Sequence, residues 1–296
     1  MPSVAFQGNP GAYSEIAAKT HFDTAPDVTT RPCETFEQVF DLVAAGQVDF
    51  GFCPIENTLS GNFLPVYDLL LRRDVSIVGE FIAHDEHCLI AAAGTALSDV
   101  KLVYSHPHVL DQCEAFLKTL PATHVATTDT AGACQLIKAQ NQPGSAAIAS
   151  TLAASISGLT IIKRGIEDDA NSSTRYIAIA KQAANPPSHV NAKTSMSVAL
   201  RNQPGALFRA LAAFALRDLN ISKIESRPSS RAGALHTSTR QWEYMYAIDV
   251  EANASQQVMI NALSNLEEFA TKVKVLGCYP IFVPRGTPSS LSPFGL

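Results

Sequence analysis

Short apolar runs alternate with stretches whose apolar residues recur every three or four positions, and this alternation continues as far as Ile162. Val4-Ala5-Phe6 reads as a strand, Gly8-Asn9-Pro10-Gly11 as a tight loop, and Tyr13 to Lys19 has helical spacing. Phe36, Val39, Phe40 and Val43 share one face of a helix predicted over Thr35 to Ala44, with Gly46 as its stop. The apolar strand from Asp49 to Cys53 then runs into Pro54-Ile55-Glu56-Asn57-Thr58. A helix over Phe63 to Arg72 and strands at Val75 to Val78 and Cys88 to Ala91 complete a first set.

From Leu102 the order repeats. A strand at Leu102-Val103-Tyr104 leads through Ser105-His106-Pro107 to a helix with Leu110, Cys113, Phe116 and Leu117 on one face. His124 to Ala126 reads as a short strand, and Asp129 caps a helix over Ala131 to Ala139. Ala146 to Ala149, a helix over Ser150 to Ser157 and a strand at Thr160 to Ile162 close the set. Two such sets predict an α/β class with two lobes and a cleft between them. Gln182 to Ala192, with Pro186-Pro187, has linker composition. Beyond it the pattern changes to strand (Ser195 to Leu200), helix (Gly205 to Arg217), strand (Ile221 to Glu225), strand (Trp242 to Val250), helix (Ser255 to Ala270) and strand (Val273 to Cys278). That βαββαβ order predicts a ferredoxin-like domain.

Composition narrows the class of function. With 296 residues, 46% of them hydrophobic and 17% charged, the chain is that of a globular protein with room for one large or two ordinary domains. A net charge of -5 without a Lys/Arg cluster argues against nucleic acid or an anionic membrane as partner. An anionic substrate then has to be held by a few local donors. The six cysteines show no C-x-x-C spacing, so they are expected to be reduced and mostly buried, with no zinc site or disulfide framework. The chain enters a strand almost at once and has no run of eighteen apolar residues, so a cytoplasmic location without leader or membrane span is expected.

The candidate chemistry lies at strand ends. Asn171-Ser172-Ser173-Thr174-Arg175-Tyr176 is a polar run leading straight into the apolar, strand-like segment Tyr176 to Ala180. Such a run either faces a ligand or turns the chain through local hydrogen bonds. Glu56-Asn57-Thr58 closes a strand where open α/β sheets bind ligands. The Gly8 to Gly11 loop either presents N–H groups to a carboxylate or is a plain turn. His84 and His87 have no third ligand at a sensible spacing and read as exposed linker histidines, and Glu167-Asp168-Asp169 reads as a solvated loop. No metal or cofactor is expected.

Taken together, these motifs resemble the prephenate dehydratase family with a C-terminal ACT domain. The resemblance is carried by Gly8 to Ser14, Pro54 to Thr58 with Gly61, Ser105-His106, Gln112-Cys113 and Asn171 to Tyr176. In the smaller domain it is carried by Asn202 to Leu207 and Glu225-Ser226-Arg227-Pro228, followed by Trp242-Glu243-Tyr244. The family implies a two-lobed, periplasmic-binding-protein-like catalytic domain, placed at residues 1–181, and a ferredoxin-like ACT domain at 193–281. It implies dehydration and decarboxylation of prephenate, with Thr174, Arg175 and Glu56 as catalytic residues. Asn57, Thr58, Ser105, Gln112, Asn171, Gly11 and Ala12 are implied to bind substrate. L-phenylalanine is the implied effector, held by Asn202, Gly205, Ala206, Leu207, Glu225, Ser226, Arg227 and Pro228 between subunits of a homodimer or homotetramer.

An alcohol is a weak general acid, so Thr174 is expected to donate a strong hydrogen bond or relay a proton rather than act as a free acid. Two departures stand out: Tyr176 where the family has Phe, and the long polar segment Ser229 to Gln241. Arogenate is the alternative substrate, and a non-catalytic amino-acid sensor the alternative from another class.

Overall fold

The computed structural model describes residues 1–23, 28–228 and 244–283. Its first elements are Ser3–Gln7 (β1), Tyr13–His21 (α1), Thr29–Cys33 (β2), Phe36–Ala44 (α2), Phe50–Asn57 (β3), Gly61–Asn62 (β4), Leu64–Arg72 (α3) and Ser76–His84 (β5). Next come Cys88–Ala91 (β6), Leu102–Ser105 (β7), Pro107–Gln112 (α4), Glu114–Leu117 (α5), Thr123–Ala126 (β8), Thr130–Gln140 (α6), Ser145–Ala149 (β9), Thr151–Ser157 (α7), Thr160–Arg164 (β10) and Ser173–Ala180 (β11). The C-terminal part contributes Ala192–Leu200 (β12), Ala206–Ala215 (α8), Ile221–Pro228 (β13), Tyr244–Val250 (β14), Gln257–Glu267 (α9) and Ala270–Pro280 (β15).

Three sheets result. The first follows the path β2-β1-β3-β11-β5, with β4 paired antiparallel to β3; the second is β10-β6-β9-β7-β8; the third is β13-β14-β12-β15. In the second sheet β7 runs parallel to both β8 and β9, whereas β6 is antiparallel to β9 and β10. The third sheet is antiparallel throughout, and its strand order is that of the expected βαββαβ fold.

Compactness does not follow the single cut that the linker composition predicts. One unit comprises Met1–Val39, Phe52–Phe63 and Ile82–Tyr176; the other comprises Phe40–Gly51, Leu64–Phe81 and the chain from Ile177 onward. In the first unit the second sheet is packed on both faces. Ile90, Ala133, Cys134 and Ala147 lie on one side, and Leu89, Val103, Leu117 and Ile148 on the other. Both-face burial explains why β6 and β9 read as unbroken apolar runs. In the second unit Met196, Val198, Phe214, Ile248, Met259 and Leu266 form the core beneath α8 and α9.

Also within the second unit, buried charges tie α3 and β5 to the C-terminal sheet. Lys193 Nζ contacts both Glu80 carboxylate oxygens at 3.0 and 2.8 Å, and Arg227 Nη2 donates to Asp68 Oδ1 at 2.8 Å. Lys274 Nζ donates to the carbonyls of Leu70 and Leu71 at the end of α3, at 2.8 and 3.2 Å. Cations at a helix C-terminus satisfy orphan carbonyls and oppose the helix dipole.

The structure departs from the sequence expectations in places. β2 was hidden by Pro32, which a strand tolerates only at an edge, and β2 is the outermost strand of its sheet. The helix through Leu110 and Leu117 is two short ones, because Cys113 at φ -118° and ψ 20° breaks it. β11 begins at Ser173 rather than Tyr176, so Thr174 and Arg175 lie inside the strand, and β5 extends to His84. Trp242 and the segment Ser229 to Gln241 lie outside the described residues.

Candidate active site

Thr174, on β11, is 4% exposed, and three side chains, Asn57, Asp85 and Tyr176, meet its hydroxyl. Asn57, at the end of β3, donates from Nδ2 to Thr174 Oγ1 at 2.9 Å, and Thr174 Oγ1 makes a short hydrogen bond to Asp85 Oδ2. The orientation of Asn57 is fixed by its amide oxygen Oδ1, which accepts from the N–H groups of Leu59 and Ser60 at 2.9 and 2.8 Å and from Gln112 Nε2 at 3.3 Å. Gln112 Nε2 also donates to Ser60 Oγ at 3.1 Å. Its Oε1 must therefore accept from His87 Nε2, 2.8 Å away, which leaves Nδ1 of a neutral His87 to accept from the Tyr13 hydroxyl at 2.6 Å. The donors consequently run in one sense: Tyr13, His87, Gln112, Asn57, Thr174, Asp85. Hydrogen bonds so aligned polarise one another.

Burial sets the electrostatics. It raises the Asp85 carboxyl above its ordinary value, with a smaller contribution in the same sense from Glu167; the Thr174 bond opposes it, as do His87 and His84 when they are protonated. Burial, then the Asp85 charge, pushes the phenols of Tyr13 and Tyr176 well above theirs. Tyr176 keeps the aromatic body expected at its position by stacking on Phe52, with ring centroids 5.3 Å apart, and its added hydroxyl bonds to Ser14 and Thr174.

The remaining predicted residues divide. Arg175 and Glu56 approach within 3.9 Å on neighbouring strands, beside the cluster. Thr58 closes the strand entrance: its N–H donates to Ser173 O at 3.0 Å and its Oγ1 accepts from Ser173 N at 3.1 Å. Asn171 is exposed, and its backbone N–H and carbonyl bond to Asp169 and Ser173.

Two of the predicted groups are used by the fold itself. Ser105 is fully buried and donates to Ile148 O at 2.7 Å, a cross-strand bond between β7 and β9. In the glycine loop Gly8 N–H donates to Cys33 O, Ala12 N–H to Asn9 O, and Gly11 N–H to Glu15 Oε2 at 2.7 Å, as in a tight turn. Burial alone would raise the Glu15 carboxyl, but the Gly11, Lys19 and Thr30 donors bring it below its ordinary value. Gly11 itself is required by φ +96° and by a close approach: a Cβ there would lie 2.7 Å from Ala153 Cα.

Three members of the cluster were missed. His87 is 1% exposed rather than a linker histidine, and Asp85 and Tyr13 were passed over. A signal for them existed. His84-Asp85-Glu86-His87 is a polar run leading straight into the apolar strand Cys88 to Ala91, the same signature that singled out Asn171 to Tyr176.

In the second unit, a cavity of about 280 Å³ lies at the start of α8, lined by Arg201, Asn202, Gln203, Gly205, Ala206, Leu207, Phe208, Tyr244 and Tyr246 among others. It gathers four of the predicted effector residues, Asn202, Gly205, Ala206 and Leu207. Glu225, Ser226, Arg227 and Pro228 lie on β13 and do not line it. The N-terminus of α8, with the positive end of its dipole, and two tyrosine rings suit a ligand with a carboxylate and an aromatic body.

Comparison with known proteins gives two family matches, to "Prephenate dehydratase" over residues 4–184 and to "ACT domain" over residues 194–268. Arogenate dehydratase/prephenate dehydratase 1, chloroplastic, of Arabidopsis thaliana is 41% identical over 288 residues, covering 95% of this chain and 73% of the relative. Among solved structures, a prephenate dehydratase from Arthrobacter aurescens in complex with L-Phe is 27% identical at a TM-score of 0.84, over 99% of this chain and 92% of the other. A protein described as a novel type of quorum quenching acylase is 31% identical at a TM-score of 0.83, over 94% and 97%.

Proposed function

Because the chain belongs to the prephenate dehydratase family, we propose that the Thr174 cluster is where it eliminates water and carbon dioxide from prephenate to give phenylpyruvate. The ring hydroxyl leaves as water, the ring carboxylate leaves as carbon dioxide, and the ring becomes aromatic. The drive is large, and the protein has to help the hydroxyl depart without holding the departing carboxylate too tightly in the ground state. The observation that carries the assignment is the Thr174 hydroxyl, gripped by an asparagine whose orientation three other donors fix. Arg175, 3.9 Å from Glu56, is assigned to the side-chain carboxylate that stays on the product. Catalysis belongs to residues 1–181 and regulation to 193–281.

The cavity at α8 is assigned to L-phenylalanine, with the carboxylate at the helix N-terminus and the ring among Leu207, Tyr244 and Tyr246. Arg227 acts beside that site through Asp68. Exposed Phe208, Ile224, Tyr244 and Val275 in this part of the chain support a second copy as its partner, in a dimer or tetramer. Six unpaired, buried cysteines accord with a reducing, cytoplasmic location.

The test is product formation by the purified chain from prephenate and, separately, from arogenate, each with and without L-phenylalanine. Phenylpyruvate from prephenate, with substrate affinity or rate altered roughly 5- to 150-fold by L-phenylalanine, is the expected outcome. L-phenylalanine formed from arogenate alone would reassign the substrate, and no turnover of either would overturn the dehydratase reading.

A further inference from the structure

The hairpin between β3 and β4 carries a hydroxyl that lies outside the chain of donors ending at Thr174. Asn57 pairs with Gly61 across the hairpin, so Thr58, Leu59 and Ser60 form a three-residue turn. Gly61, at φ +77°, takes the left-handed conformation that such a turn needs. The turn is held from three sides. Thr58 N–H donates to Ser173 O at 3.0 Å, Ser60 N–H donates to Asn57 Oδ1 at 2.8 Å, and Ser60 Oγ accepts from Gln112 Nε2 at 3.1 Å. Ser60 is therefore exposed, and yet fixed both at its backbone and at its hydroxyl oxygen.

The backbone sets the sense of the last of these bonds. The N–H groups of Leu59 and Ser60 cannot turn over, so the Asn57 atom they meet is the amide oxygen. A Gln112 amide reversed end for end would set its own oxygen 3.3 Å from that one, acceptor against acceptor. Gln112 Nε2 therefore faces both Asn57 and Ser60, and it fills one lone pair of the Ser60 hydroxyl. A serine hydroxyl that accepts in this way still has its one proton to give. Among the described residues no side chain or backbone carbonyl takes it. The bond from Gln112 also polarises the hydroxyl and makes it a better donor.

We propose that Ser60 is a substrate-binding residue, which donates this proton to the carboxylate that the product retains, alongside Arg175. The proposal rests on the dehydratase reading of the Thr174 cluster. Ser60 and Thr174 flank one amide: Asn57 Oδ1 meets Ser60 N–H, and Asn57 Nδ2 meets Thr174 Oγ1. That spacing suits two ends of one small molecule, with the leaving hydroxyl at Thr174 and a carboxylate at Ser60. A chain of net charge -5 has no general attraction for an anion, so donors at the site must supply it. A strong donor on the departing carboxylate would favour the ground state over the transition state. The retained carboxylate keeps its charge throughout, so a bond to it lowers KM and leaves kcat as it is. Thr58, whose Oγ1 accepts from Ser173 N–H at 3.1 Å, presents a second hydroxyl from the same turn.

The experiment measures kcat and KM for prephenate, and the Ki of phenylpyruvate as competitor, in wild type, Ser60→Ala and Ser60→Thr, with folding checked by circular dichroism. A hydrogen bond from a neutral hydroxyl to a carboxylate is worth about tenfold in affinity. Ser60→Ala should raise KM and Ki together by about that factor, with the loss in kcat/KM lying wholly in KM. Ser60→Thr, which keeps a hydroxyl, should return both constants toward wild type. Should Ser60→Ala fail to fold, Ser60→Cys, a poor donor of similar shape, takes its place with the same expectation. Unchanged KM and Ki in the variant without the hydroxyl overturn the proposal, and so does a loss confined to kcat. A raised KM with an unchanged Ki would put the bond on the departing carboxylate and overturns it too, as does phenylpyruvate that fails to compete with prephenate in wild type. Absence of wild-type turnover would instead overturn the dehydratase reading.

Discussion

Asn57 stands between Gln112 and Thr174, accepting from the first through Oδ1 and donating to the second through Nδ2. Replacing that amide by an isosteric carboxylate therefore makes a sharp test. In Asn57→Asp the group facing Thr174 accepts instead of donating, and it competes with substrate for the one hydroxyl proton. The expected result is a kcat about 100-fold lower with little change in thermal stability, measured by phenylpyruvate release and by calorimetry. An unaltered kcat would remove Asn57 from the account.

Thr174, Asn57 and Gln112 were legible because each ends or begins an element in a polar run. Asp85 and His87 were not, because charge and imidazole in a connecting segment are usually solvated, and only the packing around them shows otherwise. Ser105 and the Gly11 loop show the other side of the same ambiguity. Their polar atoms satisfy the fold's own backbone, a use that sequence does not distinguish from ligand binding.

The elements themselves were read largely from periodicity, and the misses have local causes. A proline in β2 and a non-helical Cys113 each interrupt a pattern without ending the structure around it. What periodicity does not carry is how elements from distant parts of the chain share one packing unit. Helix α3 and strand β5 pack with the C-terminal sheet through Lys193, Arg227 and Lys274, although all three are separated from their partners by more than a hundred residues. Gly277 makes the close approach possible, since a Cβ there would lie 2.1 Å from Ile77 O. The Lys193 and Glu80 side chains are 11% and 1% exposed. Removing one partner of a buried pair strands the other charge, which costs about 3–5 kcal/mol. Lys193→Met should accordingly lower Tm by about 5–10 °C in a thermal scan, and an unchanged Tm would show that the pair contributes nothing.

At the scale of the molecule, two units with different chemistry are assembled from interleaved stretches of one chain. The first holds the aligned chain of donors from Tyr13 to Asp85, and the second holds the cavity at α8 together with the charged ties to α3 and β5. The α/β class, the ferredoxin-like C-terminal sheet and the family were all legible from the order of motifs. The interleaving was not, because it depends on long-range packing rather than on local pattern.

The measurement that bears most directly on the account is the rate of phenylpyruvate formation from prephenate by wild type and by Thr174→Ala, side by side, with both shown to be folded. The account predicts turnover by the wild type and a kcat lower by roughly 100-fold or more in the variant, because no other hydroxyl in the cluster is held between Asn57 and Asp85. A folded Thr174→Ala enzyme that forms phenylpyruvate at the wild-type rate would contradict it.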